Sequence, residues 1–243
     1  MRFDRTKPVQ LVLLGAGGTG GYLVPHLYRL VYTLERSVQI IIADGDLVEE
    51  RNLVRQNFCA ADLGQNKAHI LAERYANAFG LEASYVPHFV TDGDSLSDLL
   101  CLERRGFLPI LIGAVDNNRT RQICHELFCH AHDLIYIDAG NGEFSGQVVC
   151  GVRRGGRTQS RPVARYYPDI LKSDDLFPNE LSCAQASEAS PQAITANITA
   201  ATIVADMLYN ILVLGKLETK WVTFSTKTIN VRSYTMKNGG KRR

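Results

Sequence analysis

A glycine-rich turn between an apolar run and a helical pattern is the first feature that could do chemistry. The run at residues 9–14 is followed by Gly15, Gly17 and Gly20 in a GxGxxG pattern, with Gly18 among them. Glycines at this spacing allow a tight turn, and they let a phosphate approach the backbone N–H groups that begin a helix. The pattern alone is weak, but between a strand and a helix it favours a nucleotide site over tight packing.

Two acidic residues lie at the end of the next apolar run. Asp44 stands where a carboxylate can accept hydrogen bonds from both ribose hydroxyls of either NAD or ATP. Asp46 follows two residues later and could help to hold Mg²⁺, which takes one or two carboxylates together with phosphate oxygens. A solvated turn carboxylate explains Asp46 equally well.

The loop that follows Asp46 distinguishes between an NAD site and an ATP site. A triphosphate needs cations and amides around its β and γ groups, and this loop contains Asn52, Arg55 and Gln56. Lys67 adds a compact cation early in the next helical pattern. A dehydrogenase has no use for such a set, so these residues favour ATP over NAD.

A later apolar run ends in Asp116 and Asn117. In a doubly wound sheet, ligands bind beyond the carboxyl ends of the parallel strands. Taken alone, the two side chains would be ordinary loop residues. Their convergence with the other polar residues on one rim of the sheet favours a site.

The elements that must position these residues alternate between strand and helix. The predicted strands are 8–15, 38–46, 83–90, 107–116 and 134–140, and the predicted helices are 18–35, 66–79, 95–106 and 119–132. Asn66 is the expected cap of one helix, Gly80 its stop, and a serine the expected cap of the helix that begins at Ser95. The alternation predicts an α/β fold with a Rossmann-like, doubly wound, mainly parallel sheet.

The pattern changes after residue 142. Polar and apolar residues alternate at 145–153 and 220–236, as is typical of antiparallel strands, and an alanine- and isoleucine-rich buried helix precedes the second of these segments. The arginine-rich segment 153–169 is either a mobile crossover that meets an acidic partner or a solvated loop. We therefore predict one domain over residues 1–243. Its nucleotide-binding core is 8–142, and 143–243 supplies the crossover loop, the buried helix and a C-terminal antiparallel extension.

Composition excludes several classes of protein. The chain is 45% hydrophobic and 21% charged, with a formal net charge of +2, which gives no bulk attraction to nucleic acid or to a membrane. No apolar run reaches the roughly 18 to 20 residues of a membrane span, and the amino terminus lacks a signal-peptide core. We expect a cytoplasmic protein. The six cysteines include no CxxC, which argues against a zinc knuckle.

Taken together, the motifs resemble those of the ThiF/MoeB family, the bacterial relatives of ubiquitin-activating enzymes. The resemblance rests on GAGGTGG at 15–21, DGDLVEERNLVRQ at 44–56, GQNKA at 64–68 and VDNNRTR at 115–121. It extends over residues 9–212 in order and spacing. The residues of these motifs are most similar to those of the plasmid-associated PRTRC branch of the family.

The resemblance implies a function. The family adenylates the C-terminal glycine of a small ubiquitin-like or sulfur-carrier protein with ATP and Mg²⁺, releases pyrophosphate, and acts as a homodimer. The resemblance implies that Gly18 approaches the nucleotide and that Asp44 binds its ribose. It implies that Asn52, Arg55 and Lys67 neutralise the triphosphate. Asp116 would bind Mg²⁺, and Asn117 would line the pocket.

Departures from the family pattern limit what carries over. Many members bind structural zinc through two CxxC pairs; neither pair is present here, so we expect no zinc. Cys183 lies where some relatives place the cysteine that forms a thioester or persulfide, and it is a candidate nucleophile, with an ordinary small-residue role as the alternative. Two other functions stay open: an NAD-dependent oxidoreductase and a catalytically silent adaptor that binds a carrier-like partner.

Overall fold

The computed structural model describes residues 1–175, 177 and 192–236. The strands are β1 Val9–Leu14, β2 Val38–Ala43, β3 Tyr85–Val86, β4 Leu108–Gly113, β5 Leu134–Asn141, β6 Ser145–Arg154, β7 Arg157–Ser160, β8 Thr219–Ser225 and β9 Asn230–Thr235. The α-helices are α1 Gly18–Tyr32, α2 Glu50–Leu53, α3 Lys67–Phe79, α4 Gly93–Leu99, α5 Asn118–His130 and α6 Ile194–Leu212, and 3-10 turns lie at Ala60–Asp62, Val163–Arg165 and Pro168–Lys172. Among these helices none is both long and apolar enough to cross a membrane.

The first five strands form the parallel part of one sheet. Their order is β3-β2-β1-β4-β5, and every pairing among them is parallel. This is the 3-2-1-4-5 order of a Rossmann fold, in which the direction of winding reverses between β1 and β4. The predicted doubly wound, mainly parallel sheet is confirmed.

Side chains on β1 explain why this sheet needs a layer on each face. Leu11 and Leu13 pack in a core cluster with α1, α3 and α6, whereas Val12 and Leu14 pack in a second cluster with α4 and α5. Successive residues of a strand point to opposite faces, so an apolar run buried throughout requires helices on both sides. The 3-10 turns after β7 complete the second layer.

The C-terminal strands extend the sheet with antiparallel pairings. β6 lies beside β5, β8 pairs with β6, and β9 pairs with β8. The predicted antiparallel extension is confirmed. The expectation that 153–169 is a loop is wrong for its first part, because β6 turns at Gly155 and Gly156, both at positive φ, and returns as β7. Such consecutive glycines make a tight hairpin. The exposed arginines on its strands interrupt the alternation of polar and apolar residues, so the sequence does not indicate strands there.

The bounds of α3 follow local signals, whereas α4 spans Gly93–Leu99 and not 95–106, and α1 ends at Tyr32 and not at 35. Asn66 accepts a hydrogen bond from the His69 N–H and Gly80 ends α3 in the left-handed conformation, as predicted. The serine cap predicted for α4 is wrong. Asp92 caps that helix and accepts the N–H of Ser95 at 2.7 Å, so the carboxylate three residues before the serine is the capping group.

Asp62 anchors the loop between α2 and α3, which carries part of the predicted site. It is 2% exposed and accepts hydrogen bonds from the Cys59 N–H at 2.8 Å and from the Arg74 guanidinium of α3. Burial alone would raise the pKa of Asp62, but the hydrogen bonds from Arg74 and Cys59 outweigh it, and the pKa lies below its ordinary value of 3.8. The ionised carboxylate therefore stabilises the fold.

We expect Asp62→Asn to lower the free energy of unfolding at pH 7 by about 1 to 3 kcal/mol, because two donors lose a charged acceptor. A lowered folded pKa gives stability that is present above the unfolded pKa and is lost as the pH falls through the folded value. The difference between wild type and variant should therefore shrink below about pH 4. Urea unfolding at pH 7 and pH 3 measures both values, and equal midpoints at pH 7 would contradict this role.

Candidate active site

The predicted site lies where β1, β2 and β4 end. The Gly15 N–H donates to the Ala43 carbonyl at 2.9 Å, and the Ala114 N–H donates to the Leu14 carbonyl at 2.8 Å. Gly15 has φ of +90°, and a Cβ there would lie 2.5 Å from the Ala114 oxygen. Only glycine fits, so the three chain segments leave the sheet as one tightly packed rim.

The other glycines of the turn have different neighbours. α1 begins at Gly18, where a Cβ would lie 2.5 Å from the amide of Asn197 on α6, and a Cβ on Gly20 would lie 1.9 Å from the Gly15 oxygen. At Gly17 the nearest atom, on Gln56, is 3.7 Å away. Gly15 and Gly20 are thus required by packing within the turn itself and Gly18 by its packing against α6, whereas Gly17 is half-buried at the start of the helix with room around it. Their predicted contact with a nucleotide stays a prediction.

Asp44 lies directly behind this turn. It is 6% exposed, one carboxylate oxygen accepts the Ala16 N–H at 2.6 Å, and the other accepts the Asp46 N–H at 2.8 Å. Burial first and the charge of Asp46 second raise the pKa of Asp44 to about 6, against the opposing effect of Lys67. The group is ionised at neutral pH, and each oxygen keeps a lone pair for a ribose hydroxyl.

Asp46 and Lys67 form an ion pair beside Asp44. Lys67 is the first residue of α3 and only 5% exposed, and its Nζ lies 2.8 Å from the carboxylate of Asp46. The Lys67 N–H also donates to the Asp46 carbonyl at 3.0 Å. The lysine is thereby held at the rim, and the carboxylate of Asp46 is occupied by a cation in this structure. The possible Mg²⁺ role of Asp46 stays a prediction.

The two amides of the predicted triphosphate loop are buried. Asn52 is 7% exposed, and its side-chain oxygen accepts the Glu49 N–H at 2.9 Å as part of the cap of α2. Gln56 is also 7% exposed, and within the described residues its side-chain oxygen has no hydrogen-bond partner. The cap of α2 uses the side-chain oxygen of Asn52 and not its nitrogen, and the predicted contact of Asn52 with a phosphate stays a prediction.

Arg55 follows α2 and is half-buried. Its Nη1 donates to the side-chain oxygen of Gln192 at 2.9 Å, just before α6 begins. A guanidinium has five N–H donors, so this bond orients the group and leaves donors for an anion. The structure therefore brings a second oriented cation to the site.

Asp116 and Asn117 lie beyond the end of β4. Asp116 is exposed, and the side chain of Asn117 caps α5 by accepting the Thr120 N–H at 2.8 Å. The cap uses the side-chain oxygen of Asn117, and its side-chain nitrogen takes no part in the cap. Asp116 therefore stands on the same rim as Gly15, with its carboxylate directed to the solvent side.

Sequence reasoning missed a buried arginine beneath this rim. Arg121 donates to the Val115 carbonyl at 2.6 Å, and its Nε lies 3.3 Å from Asp138, which is wholly buried. The Tyr136 hydroxyl donates to the same carboxylate at 2.8 Å. Arg121 thus holds the loop that carries Asp116 from below. An aspartate inside the apolar run of β5 was the available signal, because a buried charge requires a partner.

Two of the described cysteines are too deeply buried to act as nucleophiles. Cys183 lies outside the described residues. Cys124 and Cys150 are fully buried, and burial raises the pKa of each thiol to about 12. Neither forms a thiolate near neutral pH.

Comparison with known proteins decides the family. The sequence model of the ThiF family matches residues 3–241. The chain belongs to the ThiF family. The resemblance seen in the sequence motifs is thereby confirmed.

Two ThiF relatives are subunits of SUMO-activating enzymes. The chain is 29% identical over 161 residues to SUMO-activating enzyme subunit uba-2 of Caenorhabditis elegans, which is 65% of this chain and 25% of that protein. It is 30% identical over 166 residues to SUMO-activating enzyme subunit 2 of Dictyostelium discoideum, which is 67% of this chain and 23% of that protein. The chain spans about a quarter of the length of these curated relatives.

Solved structures share the ThiF fold. E. coli MccB with ATP superposes with a TM-score of 0.64 and 18% identity, over 98% of this chain and 67% of MccB. PaaA gives a TM-score of 0.64 and 16% identity, over 95% of this chain and 65% of PaaA. At these identities the likeness shows the fold alone.

Proposed function

We propose that this chain is an adenylyltransferase that uses ATP to activate the C-terminal carboxylate of a small ubiquitin-like or sulfur-carrier protein. The observation that carries the proposal is the convergence of two oriented cations, Lys67 and Arg55, on the rim where α1 begins. A helix amino terminus and two cations suit a triphosphate. The relatives named as SUMO-activating enzyme subunits support the class of reaction.

The reaction joins two anions. An oxygen of the carboxylate attacks the α-phosphorus of ATP, a carboxyl–phosphate bond forms, and the bond to the β-phosphate breaks as pyrophosphate leaves with the electron pair. No proton has to move, so catalysis rests on position and on neutralisation of charge. Asp44 would hold the ribose, the N–H groups at Gly17 and Gly18 would face the phosphates, and Arg55 and Lys67 would neutralise the leaving group.

Mg²⁺ is the metal that this chemistry implies. Within the described residues, no three His, Cys, Asp or Glu side chains are grouped to hold a metal ion. Mg²⁺ that binds with a nucleotide needs only one or two protein carboxylates and takes the remaining ligands from phosphates and water. The exposed carboxylate of Asp116 fits that requirement. When bound there, the ion would supply further positive charge to the phosphates.

The finer parts of the proposal concern the partner and the fate of the adenylate. We propose a homodimer, and transfer of the activated acyl group to Cys183 as a thioester. The dimer and the cysteine step follow from the family resemblance and from the position of Cys183 in the sequence. MccB, which shares this fold, has been solved together with AMPCPP and MccA.

Exchange of labelled pyrophosphate into ATP tests the proposed reaction. We expect exchange that depends on a ubiquitin-like or sulfur-carrier protein, because the adenylate forms reversibly before any transfer. Absence of exchange with every carrier, together with tight binding of NAD, would favour the oxidoreductase instead. Binding of a carrier without exchange would favour the adaptor. A carrier adduct that thiols cleave, and that Cys183→Ala removes without loss of exchange, would add the transfer step.

A further inference from the structure

One residue joins the two parts of the site that would face the phosphates. Asn141 ends β5, and its side-chain oxygen accepts the Thr19 hydroxyl of α1 at 2.9 Å. Its backbone oxygen accepts the side-chain N–H of Gln192 at 3.3 Å, and Gln192 in turn accepts Arg55 at 2.9 Å. The start of α1 and the Arg55 guanidinium are therefore linked through the end of one strand.

A third bond from Asn141 supports the first turn of α1. Its side-chain nitrogen donates to the oxygen of Asn197 at 3.0 Å. Asn197 is wholly buried, and its amide lies against Gly18 so closely that a Cβ there would be 2.5 Å away. Among the described residues the nitrogen of Asn197 has no hydrogen-bond partner. Keeping such a donor buried is costly, so the bond from Asn141 is what holds the amide beneath the helix start.

These bonds differ from ordinary anchoring of a strand end. The pairing of β5 with β6 already fixes the backbone of Asn141, through its register with Gly146. The side chain makes no further bond to that partner strand among the described contacts. It reaches instead to α1 and α6, the two helices whose ends face the predicted phosphate site.

We propose that Asn141 is a positioning residue that sets the distance between the amino terminus of α1 and the guanidinium of Arg55. This inference rests on the proposed function and adds to it a determinant of triphosphate fit. Asn141 acts through Thr19, Asn197 and Gln192 and need not touch the nucleotide. Loss of the side chain releases the start of α1 and Asn197 from the end of β5, whereas the bond from Gln192 to the backbone oxygen of Asn141 remains. The helix terminus can then move relative to Arg55, and ATP binds more weakly.

Binding of ATP, measured by isothermal titration calorimetry, is the readout. Asn141→Ala should weaken ATP binding by about tenfold, the cost expected for two lost hydrogen bonds. Thr19→Val removes one bond without loss of volume and should weaken binding by about threefold, while Thr19→Ser should bind as wild type. Asn210→Ala, on the same helix as Asn197 but outside this network, is the matched control and should bind ATP normally.

A double-mutant cycle separates positioning from simple structural support. Thr19→Val and Gln192→Ala remove bonds on opposite sides of Asn141, so independent effects would add. We expect them to be non-additive when Asn141 is present and additive in the Asn141→Ala background. Additive effects in both backgrounds, or unchanged ATP binding in Asn141→Ala, would overturn the proposal. If Asn141→Ala does not fold, the cycle with Asn141 present decides alone: Thr19→Val removes one hydrogen bond, and Gln192→Ala removes its bonds to Arg55 and to the backbone oxygen of Asn141.

The same measurements distinguish this inference from the proposed function. Tight ATP binding by the wild type without carrier-dependent exchange would overturn the adenylation proposal and leave the role of Asn141 to be decided by the cycle. Carrier-dependent pyrophosphate exchange by the wild type, together with unaltered ATP binding in every variant, would overturn only the role of Asn141. A wild-type protein that does not bind ATP overturns both.

Discussion

Arg55→Ala should lower carrier-dependent pyrophosphate exchange about a hundredfold or more, the cost of removing an oriented donor for developing charge. The guanidinium is half-buried and held by Gln192, so it meets the phosphates without first having to be ordered. Arg55→Lys keeps the charge but loses the planar fork, and we expect exchange between that of the alanine variant and wild type. The decrease should be in kcat as well as in the affinity for ATP.

Arg51 provides a control within the same segment. It lies four residues earlier, is exposed, and pairs with Glu49. Arg51→Ala removes the same charge from the protein as a whole, and exposed pairs of this kind contribute little to stability. We expect near wild-type exchange. Equal exchange in Arg51→Ala and Arg55→Ala would remove Arg55 from the site.

Asp116→Ala should abolish exchange and leave the fold intact. The carboxylate is exposed at the end of β4, so its removal creates no cavity and leaves no buried partner unsatisfied. A missing ligand for Mg²⁺ would deprive the phosphates of charge in the transition state, and we expect a loss of about 100-fold or more. Thermal unfolding should be unchanged.

Two further variants show whether the metal is involved. Asp116→Asn keeps the size of the side chain but weakens the ligand, so its exchange should require a higher Mg²⁺ concentration than wild type. Asp169→Ala removes an exposed carboxylate that pairs with Lys172, its one ion-pair partner among the described residues, and it should leave exchange unchanged. Full activity of Asp116→Ala would exclude Asp116 from catalysis.

Features that depend on neighbours in sequence could be predicted. The apolar runs of β1 and β4 must be buried on both faces, and that requirement alone indicates a parallel sheet with helices on either side. Asn66 and Gly80 bound α3 through contacts within four residues. The positions of the candidate residues Asp44 and Asp116 beyond the ends of β2 and β4 follow from the strand pattern, and the rule that ligands bind at the carboxyl ends of such strands makes both of them candidates.

Features that depend on contacts across the fold could not be predicted. Gln192 and Asn141 lie 51 residues apart in sequence, and nothing local shows that they meet. The sequence predicts that Gly18 approaches a phosphate, yet its packing against Asn197 of α6 is a separate reason for glycine there. For Asp46 the sequence predicts a metal ligand or a solvated residue, and its pairing with Lys67 depends on how α3 folds back onto the rim.

Adenylation of a carboxylate is the central claim, and the carrier itself offers the most direct test. Pyrophosphate exchange should be measured with one ubiquitin-like or sulfur-carrier protein in two forms, one with a free C-terminal carboxylate and one with an amidated C terminus. We predict exchange with the free carboxylate and none with the amide, since only the carboxylate can attack the α-phosphate. Equal exchange with both forms, or none with either although ATP and carrier bind, would contradict this claim.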